Sequence, residues 1–265
     1  MKKGSKKIAK TQEAGESLLL IDVSNSFTKI ALARSGKIGR VQKIPTAALS
    51  SAATIKLPKA GRAVISSVVP KVSRILQDLL PFPILWVDHT TAGVKIRYPK
   101  PASIGADRLA NVAAALSLGS LPAIVVDFGT AVTFDVIDAS GAYLGGIIAP
   151  GLSTAASALH ERTALLPLTK IQHIASPIGK STQQGIQIGL LLGAVGIVRE
   201  VVARITRETF AGKSPRVLAT GGDAKLVARL AADGGKQIID QIDPLLTLKG
   251  ILAIAEKGRR EIVNY

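Results

Sequence analysis

Two stretches of this chain, LLLIDVSNSFTKIALARSG from Leu18 and AIVVDFGTAVTFDVIDASG from Ala123, each end an apolar run in an aspartate followed by a turn of small residues. Without a gap, Asp22 aligns with Asp127, Thr28 with Thr133, and Ser35-Gly36 with Ser140-Gly141. Small turn residues let backbone N–H groups and hydroxyls approach phosphoryl oxygens, and a carboxylate at the strand end can hold a cation. One copy alone reads equally as a hairpin whose aspartate caps its turn. Gap-free repetition favours phosphate handling, with two copies able to grip one nucleotide from both sides.

These turns need strands to carry them, and the periodicity supplies them. Strands are expected near 18–23, 28–34 and 63–68, then a helix over Val72–Leu80, a strand at Ile84–Val87 and a helix over Asp107–Leu118 that stops at Gly119 and Pro122. A second unit is expected to start with the strand Ala123–Val126. It continues through a helix near 183–209 and the strand RVLAT before Gly221-Gly222-Asp223, and closes with the helix Leu246–Lys257. The expected division is a basic, disordered tail over 1–17, one domain over 18–117 and another over 118–265.

Composition fits that plan. With 265 residues, 47% hydrophobic and 20% charged, the chain can bury a substantial core. Having no cysteine, it has no disulfide or thiolate metal site, which suits a reducing compartment, expected here to be the cytoplasm. The polar first seventeen residues lack the apolar segment of a secretion signal. The apolar run Ile188–Val198 falls short of the roughly 20 residues a membrane span requires, so a buried helix is expected there and no membrane association. Gly185, Gly189 and Gly193 recur on one face of it, permitting close packing in a core or at a subunit interface. The net charge of +16 is scattered beyond the five lysines of the first ten residues, and 3% aromatics offer little for base stacking. Both argue against a dedicated nucleic-acid binder. His89, His160 and His173 stand apart from one another, so no transition-metal site is expected. GKST at 179–182 resembles the tail of a Walker loop, but Ile174 occupies the leading glycine position.

The order of elements resembles the actin, hexokinase and Hsp70 superfamily of α/β ATP-binding folds, in which two ribonuclease-H-like domains face an interdomain nucleotide cleft. Shorter signatures resemble the type III pantothenate kinases: PASIGADR at 101–108 with Tyr98 before it, DFGTAVTFD at 127–135, GAYLGGIIAPGL at 141–152, ALHERTALLP at 158–167, GKSTQQGIQIG at 179–189 and TGGDA at 220–224. They fall in order across residues 18 to 257.

That resemblance implies ATP-dependent phosphorylation of pantothenate, the first step toward coenzyme A. It assigns Asp22, Val23, Ser24, Asn25, Ser26, Phe27, Thr28 and Lys29 to the first phosphate loop, with Asp22 serving Mg²⁺ through water, and Thr130 to the phosphates from the second loop. TGGDA lies where the superfamily packs adenosine. Gly105, Ala106, Asp107 and Arg108 become the pantothenate segment, with Asp107 as general base and Arg108 paired with the substrate carboxylate. Tyr98 lies along the substrate, and Thr182 reaches it from a neighbouring subunit, implying a homodimer. Asp127 matches the ligand of a monovalent cation, K⁺ or NH₄⁺. Without the resemblance, Asp107 reads as a helix-start carboxylate, Arg108 as a solvated charge, Tyr98 as a strand residue and Thr182 as a helix cap.

Two departures stand out. Ser24 and Ser26 occupy positions where the family usually has glycine and threonine, and Lys100 stands where an asparagine commonly precedes the proline. Two alternatives stay open: a non-catalytic regulator of the same fold, and a kinase for another small alcohol. The first would lack a catalytic group, yet Asp22, Asp107, Arg108, Asp127, Thr130 and Thr182 are all present. The second would differ around Tyr98 to Arg108.

Overall fold

The computed structural model describes residues 17–50, 57–119, 121–172, 176–232 and 237–263, so the expected tail, apart from Ser17, lies outside the described residues. The chain runs β1 (Leu18–Val23), β2 (Phe27–Arg34), β3 (Lys37–Ile38), β4 (Gln42–Pro45), a 3-10 turn (Thr46–Ser50), β5 (Arg62–Ser67), α1 (Pro70–Leu79), β6 (Ile84–Trp86), β7 (Lys95–Ile96), a 3-10 turn (Pro101–Ser103) and α2 (Ala106–Leu118). It continues with β8 (Ala123–Phe128), β9 (Ala131–Ile137), β10 (Ala142–Pro150), α3 (Leu152–Glu161), α4 (Thr182–Glu208), β11 (Arg216–Gly221), α5 (Ala224–Ala231), β12 (Gln241–Ile242) and α6 (Leu246–Val263).

Two compact units result. One contains the described residues up to Leu118 together with those from Leu246 onward, and the other is Gly119–Leu245. This differs from the division expected at 118, because the last helix returns to the first unit. There α6 packs on α2, β1 and β5. Gly250 lies so close to the Ala110 carbonyl that any Cβ would collide with it, and Thr247 donates a 2.9 Å hydrogen bond to buried Asn111 Oδ1. The alanine-rich α2, buried along Ala106, Leu109, Ala110 and Val112 to Ala115, leaves room for that close crossing.

The sheets of the two units repeat one plan. The first has the order β3-β2-β1-β5-β6, with β4 also on β2, and the second unit repeats it as β10-β9-β8-β11-β12. In both, the leading hairpin is antiparallel and the next two strands run parallel to the first. β1 is buried along its whole length, which explains its unbroken apolar run. Leu19, Ile21, Val23, Ile65, Val72 and Leu76 form the core of the first unit; Ile124, Val126, Phe134, Val198 and Val217 belong to that of the second.

Register corrects the gap-free alignment of the hairpins. Asp22 stands opposite Lys29 and Val23 opposite Thr28, whereas Asp127 stands opposite Thr133 and Phe128 opposite Val132. Thr133 is therefore the counterpart of Lys29, and Thr28 is the counterpart of Val132. The first phosphate turn is one residue longer, and the next turn returns the difference. Between β2 and β3 the turn is only Ser35 and Gly36, both at positive φ. Between β9 and β10, Asp138 accepts hydrogen bonds from the Ser140 N–H, the Ser140 hydroxyl and the Ala142 N–H, supporting a longer turn. Two opposite one-residue changes cancel in the sequence.

Helix α4 also departs from expectation. Its 27 residues make it long and apolar enough to cross a membrane by length and composition, and only 33% of its most apolar window is buried. Ile188, Leu191, Val195 and Val198 face the core of the second unit, while Gly185, Gly189, Leu192, Gly193 and Gly196 are exposed.

Candidate functional site

The carboxyl edge of the first sheet gathers the first set of expected residues. Asp22 is 2% exposed, and its Oδ2 lies 3.7 Å from Lys29 Nζ, directly across the hairpin. Between them the turn Ser24-Asn25-Ser26 projects outward, Asn25 and Ser26 exposed, with Ser24 N–H bonded to Phe27 O at 3.2 Å. Phe27 is 44% exposed and carries the Lys43 ammonium 4.1 Å from its ring centre. Thr28, by contrast, is fully buried. Ser66 is the register neighbour of Asp22 on the parallel strand β5, and its buried hydroxyl has no partner among the described residues.

The start of α2 meets the same edge. Val68 N–H donates to Val23 O at 3.1 Å, and Val68 Cγ1 packs toward Gly105. Ala106 begins the helix and is buried; Asp107 and Arg108 are partly exposed. Asp107 Oδ1 accepts the Arg108 N–H at 2.8 Å. Burial pushes the Asp107 carboxyl above its ordinary range, outweighing that hydrogen bond and the Arg108 charge, both of which pull it down. A carboxylate so tuned is a better proton acceptor than a solvated one. Tyr98, just after β7, is 38% exposed, and Lys100 is exposed.

Gly105 is required by this carboxylate. A Cβ there would stand 2.5 Å from Asp107 Oδ1 but 3.7 Å from Val68, so Gly105→Ala is relieved by turning one side chain rather than by moving the fold. We therefore expect Gly105→Ala to keep the wild-type melting temperature within a few degrees and to lower kcat by about 10- to 100-fold, the usual cost of misplacing a reacting group by about 1 Å. Thermal melts beside steady-state rates check it.

In the second unit, Asp127 is the penultimate residue of β8 and Thr130 is exposed in the following turn. That turn is clamped by glycines. Cβ atoms on Gly151 or Gly221 would collide with the backbone of Gly129 and Phe128 respectively. The Thr130 carbonyl accepts the Gly151 N–H at 3.0 Å and the Thr154 hydroxyl at 2.6 Å. Thr220 is the register neighbour of Asp127, as Ser66 is of Asp22, and its buried hydroxyl likewise has no partner among the described residues. Burial raises the carboxyl of Asp223, which precedes α5 in the TGGDA turn. At the start of α4 the cap is Ser181, whose hydroxyl accepts the Gln184 N–H, and not Thr182, which is the exposed first helical residue. Gly179 packs against the backbone of Gln184 and Gly185, so GKST is a capped helix start.

The family model for type III pantothenate kinase matches residues 18–204. The chain belongs to the type III pantothenate kinase family. It is 40% identical over 243 residues to the type III pantothenate kinase of Methylacidiphilum infernorum, covering 90% of this chain and 88% of that one. With the type III pantothenate kinase of Akkermansia muciniphila it shares 42% over 238 residues, 88% of this chain and 96% of that one. Among solved structures, the conserved putative Baf family transcriptional activator from Campylobacter jejuni superposes with a TM-score of 0.62 at 18% identity, covering 91% of this chain and 99% of that one. That likeness is one of fold. The α/β fold expected from the sequence, with a mixed sheet in each unit, is present.

A pantothenate kinase uses ATP with a divalent metal, and the first hairpin fits one held through water. Asp22 is a buried carboxylate beside Lys29, and the Ser66 hydroxyl in register next to it has no partner among the described residues. Among the described residues no cluster of three metal-ligating side chains would enclose an ion directly. Within the first unit, the edge brings together Asp22, Lys29, the turn and Gly105 to Arg108; Asp127, Thr130 and Thr182 belong to the second. Sequence reasoning missed Thr46 and Ser66, and read Thr220 only as part of the TGGDA segment. Ser66 carried a signal, since it lies at the end of the β-rich run RAVISS.

Proposed function

We propose that this chain transfers the γ-phosphoryl group of ATP to the primary hydroxyl of pantothenate, giving 4′-phosphopantothenate and ADP. One observation beyond family membership supports it most. A partly buried, poorly solvated Asp107 carboxylate stands at the start of a 13-residue helix, on the same sheet edge as the Asp22–Lys29 turn.

The chemistry follows from charge and position. Pantothenate carries one carboxylate, which Arg108 and the amides at the start of α2 suit as an anion site. Tyr98 lies along the substrate. Asp107 accepts the hydroxyl proton as the oxygen attacks the γ-phosphorus and the bond to the ADP oxygen breaks. Lys29 and the turn amides after Ser24 hold phosphate oxygens, and Thr130 is assigned to the phosphates as well. Mg²⁺ bound with ATP would be held by Asp22 through water and neutralise phosphate charge. Asp127 is assigned to a monovalent cation, K⁺ or NH₄⁺, and TGGDA to adenosine.

The homodimer belongs to the same reading. The exposed glycine face of α4 offers open space for a second helix, with exposed Ile148, Leu165, Leu168 and Ile178 in the same unit. The partner subunit's Thr182 would then complete the pantothenate site. The absence of cysteine supports a cytoplasmic location.

A coupled assay with pantothenate, ATP and Mg²⁺, run in K⁺ and in Na⁺, tests this. Formation of phosphopantothenate in K⁺, falling by about tenfold or more in Na⁺, is expected if the Asp127 site selects the larger ion and its bound charge aids transfer. Folded dimer without activity in either salt overturns the kinase reading in favour of a regulator.

A further inference from the structure

The first phosphate turn is held from behind by one side chain outside the hairpin. Thr46, at the start of the 3-10 turn after β4, is 4% exposed. Its hydroxyl bonds Ser24 O at 2.7 Å, its N–H bonds Ser26 O at 3.0 Å, and its Oγ1 lies 3.0 Å from that of Thr28. A carbonyl only accepts, so the single Thr46 hydroxyl proton goes to Ser24 and Thr28 must donate to Thr46.

The consequence lies in the peptide planes. In a trans peptide the N–H points opposite the C=O of the preceding residue. Drawing the Ser24 carbonyl onto Thr46 therefore turns the N–H of exposed Asn25 away from it, to the outer side of the turn. Backbone amides so directed can bind an anion. Serine at 24, where the family usually has glycine, makes this restraint the more useful, because the turn's direction is set from outside it.

We propose that Thr46 is a positioning residue for nucleotide binding, orienting the turn's amides toward the phosphates without itself touching ATP. The proposal rests on the reading of residues 22–29 as the phosphate loop. Thr46→Val keeps the shape and removes the hydroxyl; Thr46→Ser keeps the hydroxyl; Lys29→Ala tests the loop independently.

Calorimetric titration with a non-hydrolysable ATP analogue and Mg²⁺, beside steady-state kinetics and thermal melts, decides it. Thr46→Val is expected to weaken analogue binding and raise the KM for ATP by about tenfold, the cost of one buried carbonyl left unsatisfied, with the KM for pantothenate unchanged. Thr46→Ser should stay within about twofold of wild type. If Thr46→Val lowers only the melting temperature while Lys29→Ala weakens binding, the positioning role is overturned. If neither variant weakens binding, the phosphate-loop reading falls, and this proposal with it. Should Thr46→Val not fold, Thr28→Val decides, removing the donor to Thr46: about threefold weaker binding supports the proposal and unchanged binding overturns it.

Discussion

Replacing Asp107 by asparagine lowers kcat by about 10²- to 10⁴-fold, the usual contribution of a positioned general base, and makes the protein more stable at neutral pH. Both effects come from one cause. Burial holds the carboxyl above its ordinary range, so the folded protein keeps that proton to a higher pH than the unfolded chain does. The stabilisation is fully present below the unfolded carboxyl's range and is lost as pH rises through the shifted value, because a charge must then be borne in a poorly solvated place. Asparagine has nothing to ionise. The variant's melting temperature should exceed that of wild type at neutral pH, and the difference should vanish at pH values below the ordinary aspartate range. The wild-type kcat should rise with pH through the same shifted value as the base form appears. Melts and pH–rate profiles of both proteins check this; a variant retaining kcat within about threefold would remove Asp107 from the role of base.

The second large effect is expected far from that carboxylate. Gly189→Arg should convert the proposed dimer to monomer and abolish pantothenate turnover, while leaving each chain folded. Within one chain nothing lies within 4 Å of a Cβ at Gly189, and the same holds at Gly185, Gly193 and Gly196. Arginine there also improves on the helix propensity of glycine, by about 0.5–1 kcal/mol. An isolated chain would therefore gain stability from the change. Only a second helix packed against this face makes a long cationic side chain intolerable, because the small residues are what let two backbones approach. Sedimentation measures the association and the coupled assay the activity. A monomeric variant with full activity would show that the partner subunit's Thr182 is dispensable; a variant still dimeric would place the interface elsewhere.

Local chemistry determined much of this protein. The strands and helices that carry the site, the two aspartate-ended hairpins and the start of α2 at Asp107 follow from periodicity, small turn residues and helix propensity, all acting over a few residues. The observed bounds of β1, β8, α2, α4 and β11 fall within two residues of that reading. The motifs around Tyr98 to Arg108 and Asp127 to Thr130 likewise sat in contiguous segments, so the family was legible before any contact was known. Tertiary structure decided the rest, and in each case the deciding interaction joins residues distant in sequence. Helix α6 returns to the first unit because Gly250 and Thr247 fit the alanine-rich back of α2, a match that no local pattern of either helix records. The one-residue exchange between successive turns was invisible because two opposite shifts cancel in any alignment of the repeats. Thr46 has an ordinary sequence context and acquires meaning only by standing beside Ser24. The apolar α4 read as buried because hydrophobicity records that a face prefers to leave water, not whether this chain or a second copy covers it.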